Sequence, residues 1–581
     1  MLFSEVAKYL KRVEETSSRI EMTNILSELF SECTVDEIKR LVYILQGKIK
    51  PPFTGVQLGV GEKYVLEAIS LASGYARREV ESYYKKSGDL GLTAQHFLER
   101  KKQTQIFVEE IDLIGAYDIL LKIATASGPG SQQMKIKMLS QLFTKTSPLG
   151  ARYIARFANE RLRLGVGDPT ILDALSMFKK KSKEFREHLE RAYNLCSDLG
   201  YVAEVFLTDP QKILRFKPQV FSPIRPALAE RLPSAEAIFN KIGPCYVDSK
   251  YDGMRMMIHR KGDRVEIFSR RLDKVTHMFP DIVEYAKKIE ADEFIIDGEG
   301  LAFNEKENRY YSFQETMHRR RKYGIEEASK KLPLYVFVFD LLYLKGEDYT
   351  VKPFKERRAM LEKVIGNDNP RIKPSVITFA NSAQEIKEFF DKCISQRLEG
   401  IIAKDPNAPY IAGARKFAWI KLKKSYSGEL QDTFDLVILG YYRGKGSRAK
   451  YDFGGILAGV YNPERDVFET ITKVGSGFTE EQMEEFNKLL SKIRVKNKPH
   501  NVDAKIEPDY WVEPKYVMTV AADEITLSPI HTCGHTETPS GKGYALRFPR
   551  MLFLRPLEDK DAYDATTTQE IIEMYKMSKG E

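Results

Sequence analysis

Tyr246-Val-Asp-Ser-Lys250-Tyr-Asp-Gly-Met-Arg255 is the stretch on which the reading of this chain turns. A β-prone run ends on a lysine and meets Asp-Gly, a turn dipeptide. Side chains two apart on a strand share a face, so Asp248 and Lys250 are expected together, with the turn returning Arg255 beside them. A neighbouring cation favours the neutral, nucleophilic form of a lysine amine. Taken alone, the segment equally describes a surface hairpin carrying ordinary charges.

Further segments follow in order along the chain. Ile295-Ile-Asp297-Gly-Glu299 sets two carboxylates on one strand face. Val336-Phe-Val-Phe339-Asp340 is an apolar run that reads as a buried strand. In Arg415-Lys-Phe-Ala-Trp419-Ile-Lys421-Leu-Lys423, alternation places Trp419, Lys421 and Lys423 on one face and Ile420 and Leu422 on the other. Standing alone, that last segment would be an edge strand blunted by lysines.

Together, Lys-Tyr-Asp-Gly-x-Arg, Phe268-Ser269-Arg270, Asp297-Gly-Glu299, the run ending at Phe339, Glu399-Gly-Ile-Ile-Ala-Lys404 and the Lys421/Lys423 segment resemble the ordered signature of the covalent nucleotidyltransferases. These are the DNA ligases, RNA ligases and mRNA capping enzymes. The resemblance implies that Lys250 takes the nucleotide onto its amine. It implies that Arg270 reaches the nucleotide, Glu299 binds ribose or a metal, and Phe339 stacks on the purine. Glu399 would support a divalent cation such as Mg²⁺, Lys421 and Lys423 would clamp phosphates, and Asp248, Arg255 and Arg415 would be further nucleotide contacts.

Leu546-Arg547-Phe548-Pro549-Arg550 and the later Asp564-Ala-Thr-Thr resemble the carboxy-terminal signature of cellular ATP-dependent DNA ligases. Gly128-Pro-Gly-Ser-Gln132 and Glu160-Arg-Leu-Arg163-Leu-Gly165 resemble their DNA-binding domain, which capping enzymes lack. The implied architecture is multidomain: an all-α DNA-binding domain over 1–215, an α/β (ATP-grasp-like) adenylation domain over 216–424 and a β-barrel OB-fold domain over 425–581. The implied activity is sealing of nicks in duplex DNA through lysyl-AMP and DNA-adenylate, in replication, repair and recombination. ATP and Mg²⁺ are the implied cofactors and nicked duplex the partner. The enzyme is expected to act as a monomer.

Arg319-Arg-Arg-Lys322, Arg161 and Arg163 are candidate phosphate contacts. The Gln103–Phe107 region falls where archaeal ligases carry a sliding-clamp motif, and it reads equally as an amphipathic helix end. Three departures from the family pattern stand out. Asp248 occupies a position usually held by glutamate. The closing Arg555-Pro-Leu-Glu-Asp559-Lys560 is two residues longer than Arg-x-Asp-Lys. His531, Cys533 and His535 cluster, but without the further ligands that a zinc site needs.

Organisation and composition agree with this reading. Apolar residues at helical spacing, such as Val65, Ala68, Ile69 and Ala72, dominate up to about residue 215, and a proline-bearing linker at Lys217–Pro226 then introduces β-rich runs. At 581 residues the chain exceeds one core, and a net charge of +9 suits a polyanionic partner without specifying one. Five scattered cysteines and the absence of a long apolar stretch predict a soluble protein of the reducing cytoplasm, with no membrane contact.

Overall fold

The computed structural model describes every residue except 102–108, 161, 181–183, 305–308, 312–314, 317, 322, 367, 397, 424–431, 445–450 and 580–581, and only the backbone at 179, 180, 309, 415, 432 and 577–579. The chain divides into two compact units, Met1–Lys217 and Pro218–Glu581, so the break falls at the start of the proline-bearing linker.

The regular elements among the first unit's described residues are helices, from Phe3–Glu15 to Pro210–Leu214. In Glu62–Ser73 the predicted stripe is the buried one: Val65, Ala68 and Ile69 face the core. The helix Val35–Leu45 starts at Thr34, whose hydroxyl accepts from the Glu37 N–H while Glu37 reaches back to the Thr34 N–H. Within this unit Arg156 is buried and held by Asp89 at 2.7 Å and Glu14 at 2.9 Å. Arg163, a candidate phosphate contact, pairs with the same Asp89 at 3.3 Å, whereas Arg161 and the Gln103–Phe107 region lie outside the described residues.

The second unit opens with twelve strands: β1 (Leu228–Arg231), β2 (Cys245–Lys250), β3 (Met254–Lys261), β4 (Arg264–Phe268), β5 (Glu293–Asn304), β6 (Arg309–Tyr310), β7 (Leu334–Leu344), β8 (Glu347–Asp348), β9 (Ile372–Pro374), β10 (Ile377–Ala380), β11 (Gly400–Lys404) and β12 (Arg415–Lys423). They build two sheets. One is five-stranded, in the order β1-β12-β11-β2-β10; the other is seven-stranded around the path β4-β3-β5-β7-β8. The hairpin reading of residues 246–255 therefore fails: β2 belongs to the first sheet and β3 to the second, and the chain crosses between them at Tyr251–Gly253. A side chain at Gly253 would meet the Gly300 carbonyl of β5 at 2.4 Å, so the crossing needs a bare backbone.

A strand-rich region follows, in which β13 (Asp432–Tyr442), β14 (Gly455–Asn462) and β15 (Val467–Val474) form an antiparallel ladder. Five more strands complete an eight-stranded sheet that curls as a half-barrel over a core including Leu436, Ile456, Phe486 and Val520. Two helices went unanticipated, Glu480–Ser491 and Thr568–Lys579; the first packs Phe486 and Leu490 into that core. Cys533 and His531 are buried there and His535 pairs with Asp503 at 3.2 Å; no metal-binding group of three or more ligands occurs among the described residues. No described helix is long and apolar enough to cross a membrane.

The linker is fastened where it enters the second unit. Phe221 adopts a left-handed backbone (φ 73°), donates its N–H to Nδ1 of the buried His259 at 2.9 Å, and lies under the Arg264 guanidinium at 3.9 Å. Burial lowers His259 from its ordinary value to about 3, and as an acceptor at Nδ1 the ring must stay neutral there. A depressed folded pKa stabilises above the unfolded value of about 6.5 and is lost as pH falls toward the folded one. We predict that acidification from pH 6.5 costs up to about 1.4 kcal/mol per pH unit from this residue alone. Urea unfolding across that range should show the loss in the wild type and a flatter profile in His259→Asn, whose amide oxygen replaces the acceptor without titrating.

Candidate active site

Alternation on β12, β11 and β2 makes one face of the five-stranded sheet chemical and the other apolar. Register pairs Lys423 with Gly400 and Gly400 with Lys250, then Lys421 with Ile402 and Ile402 with Asp248, then Trp419 with Lys404 and Lys404 with Tyr246. These nine residues form a three-by-three patch. The intervening Ile420, Leu422, Ile401, Ala403 and Val247 enter the core on the opposite face. Gly400 leaves the first row open between two lysines; a Cβ there would meet the Leu422 carbonyl at 2.0 Å.

Lys250, Ile402, Trp419, Lys421 and Lys423 of this patch line a cleft of about 1160 Å³, also lined by the seven-stranded sheet and the strand-rich region. Lys250 ends β2 at its edge. Its Nζ donates to the Glu399 carboxylate, to which Lys423 is also paired. Burial alone would raise the Glu399 carboxyl, and the two lysines reverse this, holding it well below the usual carboxylate range.

Arg255, which lines the same cleft, makes a two-pronged bond to Asp297, with Nε to Oδ1 at 2.9 Å. On paired β3 and β5, Arg255 lies opposite Glu299 and diagonal to Asp297, which is why all three share a face. The Tyr410 hydroxyl donates to Asp297 at 2.9 Å and accepts from the Ala227 N–H at 2.9 Å. Arg255 thus enters the cleft from a fixed base, 5.0 Å from the centre of the Phe339 ring.

Phe339 and Trp419 meet edge to face at 5.7 Å and present an aromatic wall. Lys404 passes 4.5 Å from the Trp419 ring and donates to Asp248 at 2.8 Å and to the Phe339 carbonyl at 3.1 Å. Asp248 shares the Lys250 face, as the spacing predicts, but one row behind it, buried, with Oδ1 lacking a hydrogen-bond partner. Arg415 begins β12, and its side chain lies outside the described residues.

Two polar groups face the cleft with spare bonding capacity. Arg270 has a buried Nε without a hydrogen-bond partner. Glu299 is pushed up to about 7 by burial, against the opposing pull of Arg255, Lys250 and Arg270. Asp252, in the crossing itself, is also raised, by burial and then by Glu399. A divalent cation would find Glu299 here, with Glu399 engaged by lysines; such a sparse set suits Mg²⁺, which takes one or two carboxylates and completes its shell with phosphates and water.

The strand-rich region closes the cleft with residues whose roles the sequence left open. Arg555 and Lys560 both line it and both pair with Asp435 of β13. Glu570, in the first turn of Thr568–Lys579, lies 3.7 Å from Lys421. Nothing local in the sequence marks Asp435 or Glu570, whereas Asp252 stood inside the quoted motif. Arg319 is corrected as a phosphate contact: it is fully buried and bonds both Asp281 oxygens, at 2.7 and 2.8 Å. Arg320 pairs with Asp273 at 3.5 Å, and Lys322 lies outside the described residues.

Three family descriptions match the chain: "DNA ligase N terminus" over residues 2–176, "ATP dependent DNA ligase domain" over 226–423 and "ATP dependent DNA ligase C terminal region" over 449–560. A probable DNA ligase of Dictyoglomus turgidum is 45% identical, covering 100% of this chain and 98% of that protein. That of Dictyoglomus thermophilum is 46% identical with the same coverage. A DNA ligase of Saccharolobus solfataricus is 43% identical over 99% of this chain and 97% of its own length. With matches running through both units and a lysine-bearing cleft between two sheets, the chain belongs to the ATP-dependent DNA ligases.

Proposed function

We propose that the protein seals nicks in duplex DNA, with Lys250 as the nucleophile that carries AMP. The observation that carries this reading is the position of Lys250: the last residue of β2, on the lysine-bearing face, opening into a cleft with an aromatic wall. Residues 216–424 would be the nucleotidyltransferase domain, ATP-grasp-like in its paired sheets, 425–581 an OB-fold, and residues 1–215 the DNA-binding domain.

In the first transfer, neutral Nζ of Lys250 attacks the α-phosphorus of ATP; a nitrogen–phosphorus bond forms, the bond to the bridging oxygen breaks, and pyrophosphate leaves with the electron pair. Phe339 and Trp419 receive the purine. The unpartnered Asp248 Oδ1 accepts from an amino group, favouring adenine over a base with an oxo group there. Lys421, Lys423 and Arg270 neutralise phosphate oxygens, and Arg255, held by Asp297, contacts the sugar side. A Mg²⁺ ion bound at Glu299 would supply Lewis-acid charge to the phosphates. Glu399 holds the Lys250 amine in place until the phosphates draw Lys423 away.

In the second transfer the 5′-phosphate at the nick attacks the AMP phosphorus and frees Lys250. In the third, the 3′-hydroxyl attacks the adenylated 5′-phosphate and expels AMP. Such transfers depend on positioning and charge, which are what this cleft supplies. An RNA ligase or capping enzyme could use the same cleft, but neither explains a helical unit resembling the DNA ligase amino terminus. A catalytically dead DNA- or clamp-binding scaffold would have no use for an intact nucleophile. The protein would act as one copy in the cytoplasm, where five free cysteines stay reduced.

Incubated with labelled ATP and Mg²⁺, the wild type should acquire covalent AMP and pass it to nicked DNA in preference to nicked RNA. Lys250→Ala should acquire none yet keep its fold. Labelling of that variant to the wild-type extent overturns the assignment. Affinity for nicked duplex should fall steeply with salt, by about 0.9 in log K per log unit for each phosphate contacted. A flat response between low and moderate salt would exclude this mode of DNA binding.

A further inference from the structure

We propose that Asp435 is a positioning residue for the nucleotide-loading step, a carboxylate that gathers Lys560 and Arg555 onto the phosphate-facing side of the cleft. The inference rests on the reading that Lys250 is loaded from ATP.

Asp435 is fixed at both backbone and side chain. Its N–H donates to the Thr566 hydroxyl at 3.1 Å and its carbonyl accepts from the Thr566 N–H at 2.8 Å. Oδ1 accepts from the Thr519 hydroxyl at 2.6 Å and lies 3.5 Å from Nε of Arg555, while Oδ2 is paired with Lys560. All four side chains line the cleft that holds Lys250.

The need for such a residue arises from the longer closing segment. Arg555 and Lys560 stand at either side of a turn in which the Asp559 and Lys560 N–H groups both donate to the Pro556 carbonyl, at 2.9 and 3.2 Å. Asp559 reaches back to Arg555 at 3.2 Å, so the two extra residues form a turn closed on itself. Two cations converging on one side of a partly buried cleft repel each other. A shared carboxylate offsets that repulsion and sets their spacing, and removing one member of a buried ionic set leaves the remaining charges uncompensated.

Only the loading step places a pyrophosphate in the cleft. There the Nζ–phosphorus bond forms, the bond from the α-phosphorus to the bridging oxygen breaks, pyrophosphate takes the electron pair and the amine proton goes to solvent. The cations that the closing segment brings into the cleft serve that leaving group. They have no such partner when the 3′-hydroxyl attacks an already adenylated 5′-phosphate.

The test uses the full-length chain. Asp435→Asn should lower kcat/KM for self-adenylation about tenfold more than it lowers sealing of a chemically pre-adenylated nick. It should also weaken inhibition of loading by pyrophosphate about fivefold. Thr519→Val, which removes one anchor of the same carboxylate, should shift both quantities in the same direction by about twofold, and it decides the matter if Asp435→Asn does not fold. Equal losses in loading and in pre-adenylated sealing, or no loss in either, overturn the positioning role. A wild type that takes up no AMP would instead overturn the assignment of Lys250.

Discussion

The second unit depends on a hand-over of chain between two sheets. β2 ends at Lys250 in one sheet and β3 begins at Met254 in the other, so three residues span the gap. The passage is tight because Gly253 lies against the Gly300 carbonyl, where a Cβ would come within 2.4 Å. Gly298 is similarly close to the Phe337 carbonyl, at 2.8 Å, so β5 and β7 also approach the crossing with little room for side chains. A lysine at this point cannot be an ordinary strand-end residue. It stands where two sheets diverge, at the edge of the cleft that their divergence creates.

Backing interactions then give the cleft its rigidity. Asp248–Lys404 and Asp297–Arg255 are both buried ion pairs, and neither is expected to add much net stability, since desolvation offsets most of the attraction. Their value is directional. Lys404 ties β11 to both Asp248 of β2 and the Phe339 carbonyl of β7, joining the two sheets behind the aromatic wall. Tyr410 adds a third connection, linking Asp297 of β5 to the Ala227 backbone before β1.

How far the sequence could be read follows from the range of the signal used. Period-two alternation on residues 415–423 correctly separates Trp419, Lys421 and Lys423 from Ile420 and Leu422, because strand geometry is local. The same rule places Asp248 on the Lys250 face but says nothing of the row behind, where Lys404 binds it, because register between strands is not a local property. The hairpin alternative at Asp252-Gly253 fails for that reason: turn chemistry fixes a change of direction and not which sheet receives the next strand. Arg255 is held by Asp297, a partner more than forty positions away in the chain. Arg319 reads as a candidate phosphate contact within a basic run, yet the fold buries it on Asp281. Asp435 and Glu570 carry no motif at all and acquire meaning only when the strand-rich region closes the cleft.

The cations of this cleft are distributed in a consistent way. Lys250 and Lys423 share Glu399, Lys421 lies near Glu570, and Arg555 and Lys560 share Asp435. Five cations gathered without counter-charge in a partly buried space would repel one another and favour opening. Glu399, Glu570 and Asp435, with Asp559 on Arg555, offset most of that charge, so the cleft can keep its shape before a nucleotide arrives. A triphosphate carries comparable negative charge and, in the loading reaction proposed above, would bind by replacing those carboxylates. Such an exchange would release little net electrostatic energy, leaving the charge stabilisation to be expressed where it would accelerate transfer, as bonds to phosphorus form and break. Arg270, with its unpartnered Nε, is the exception: a nucleotide acceptor reaching that nitrogen would displace no protein partner and would contribute most directly to binding.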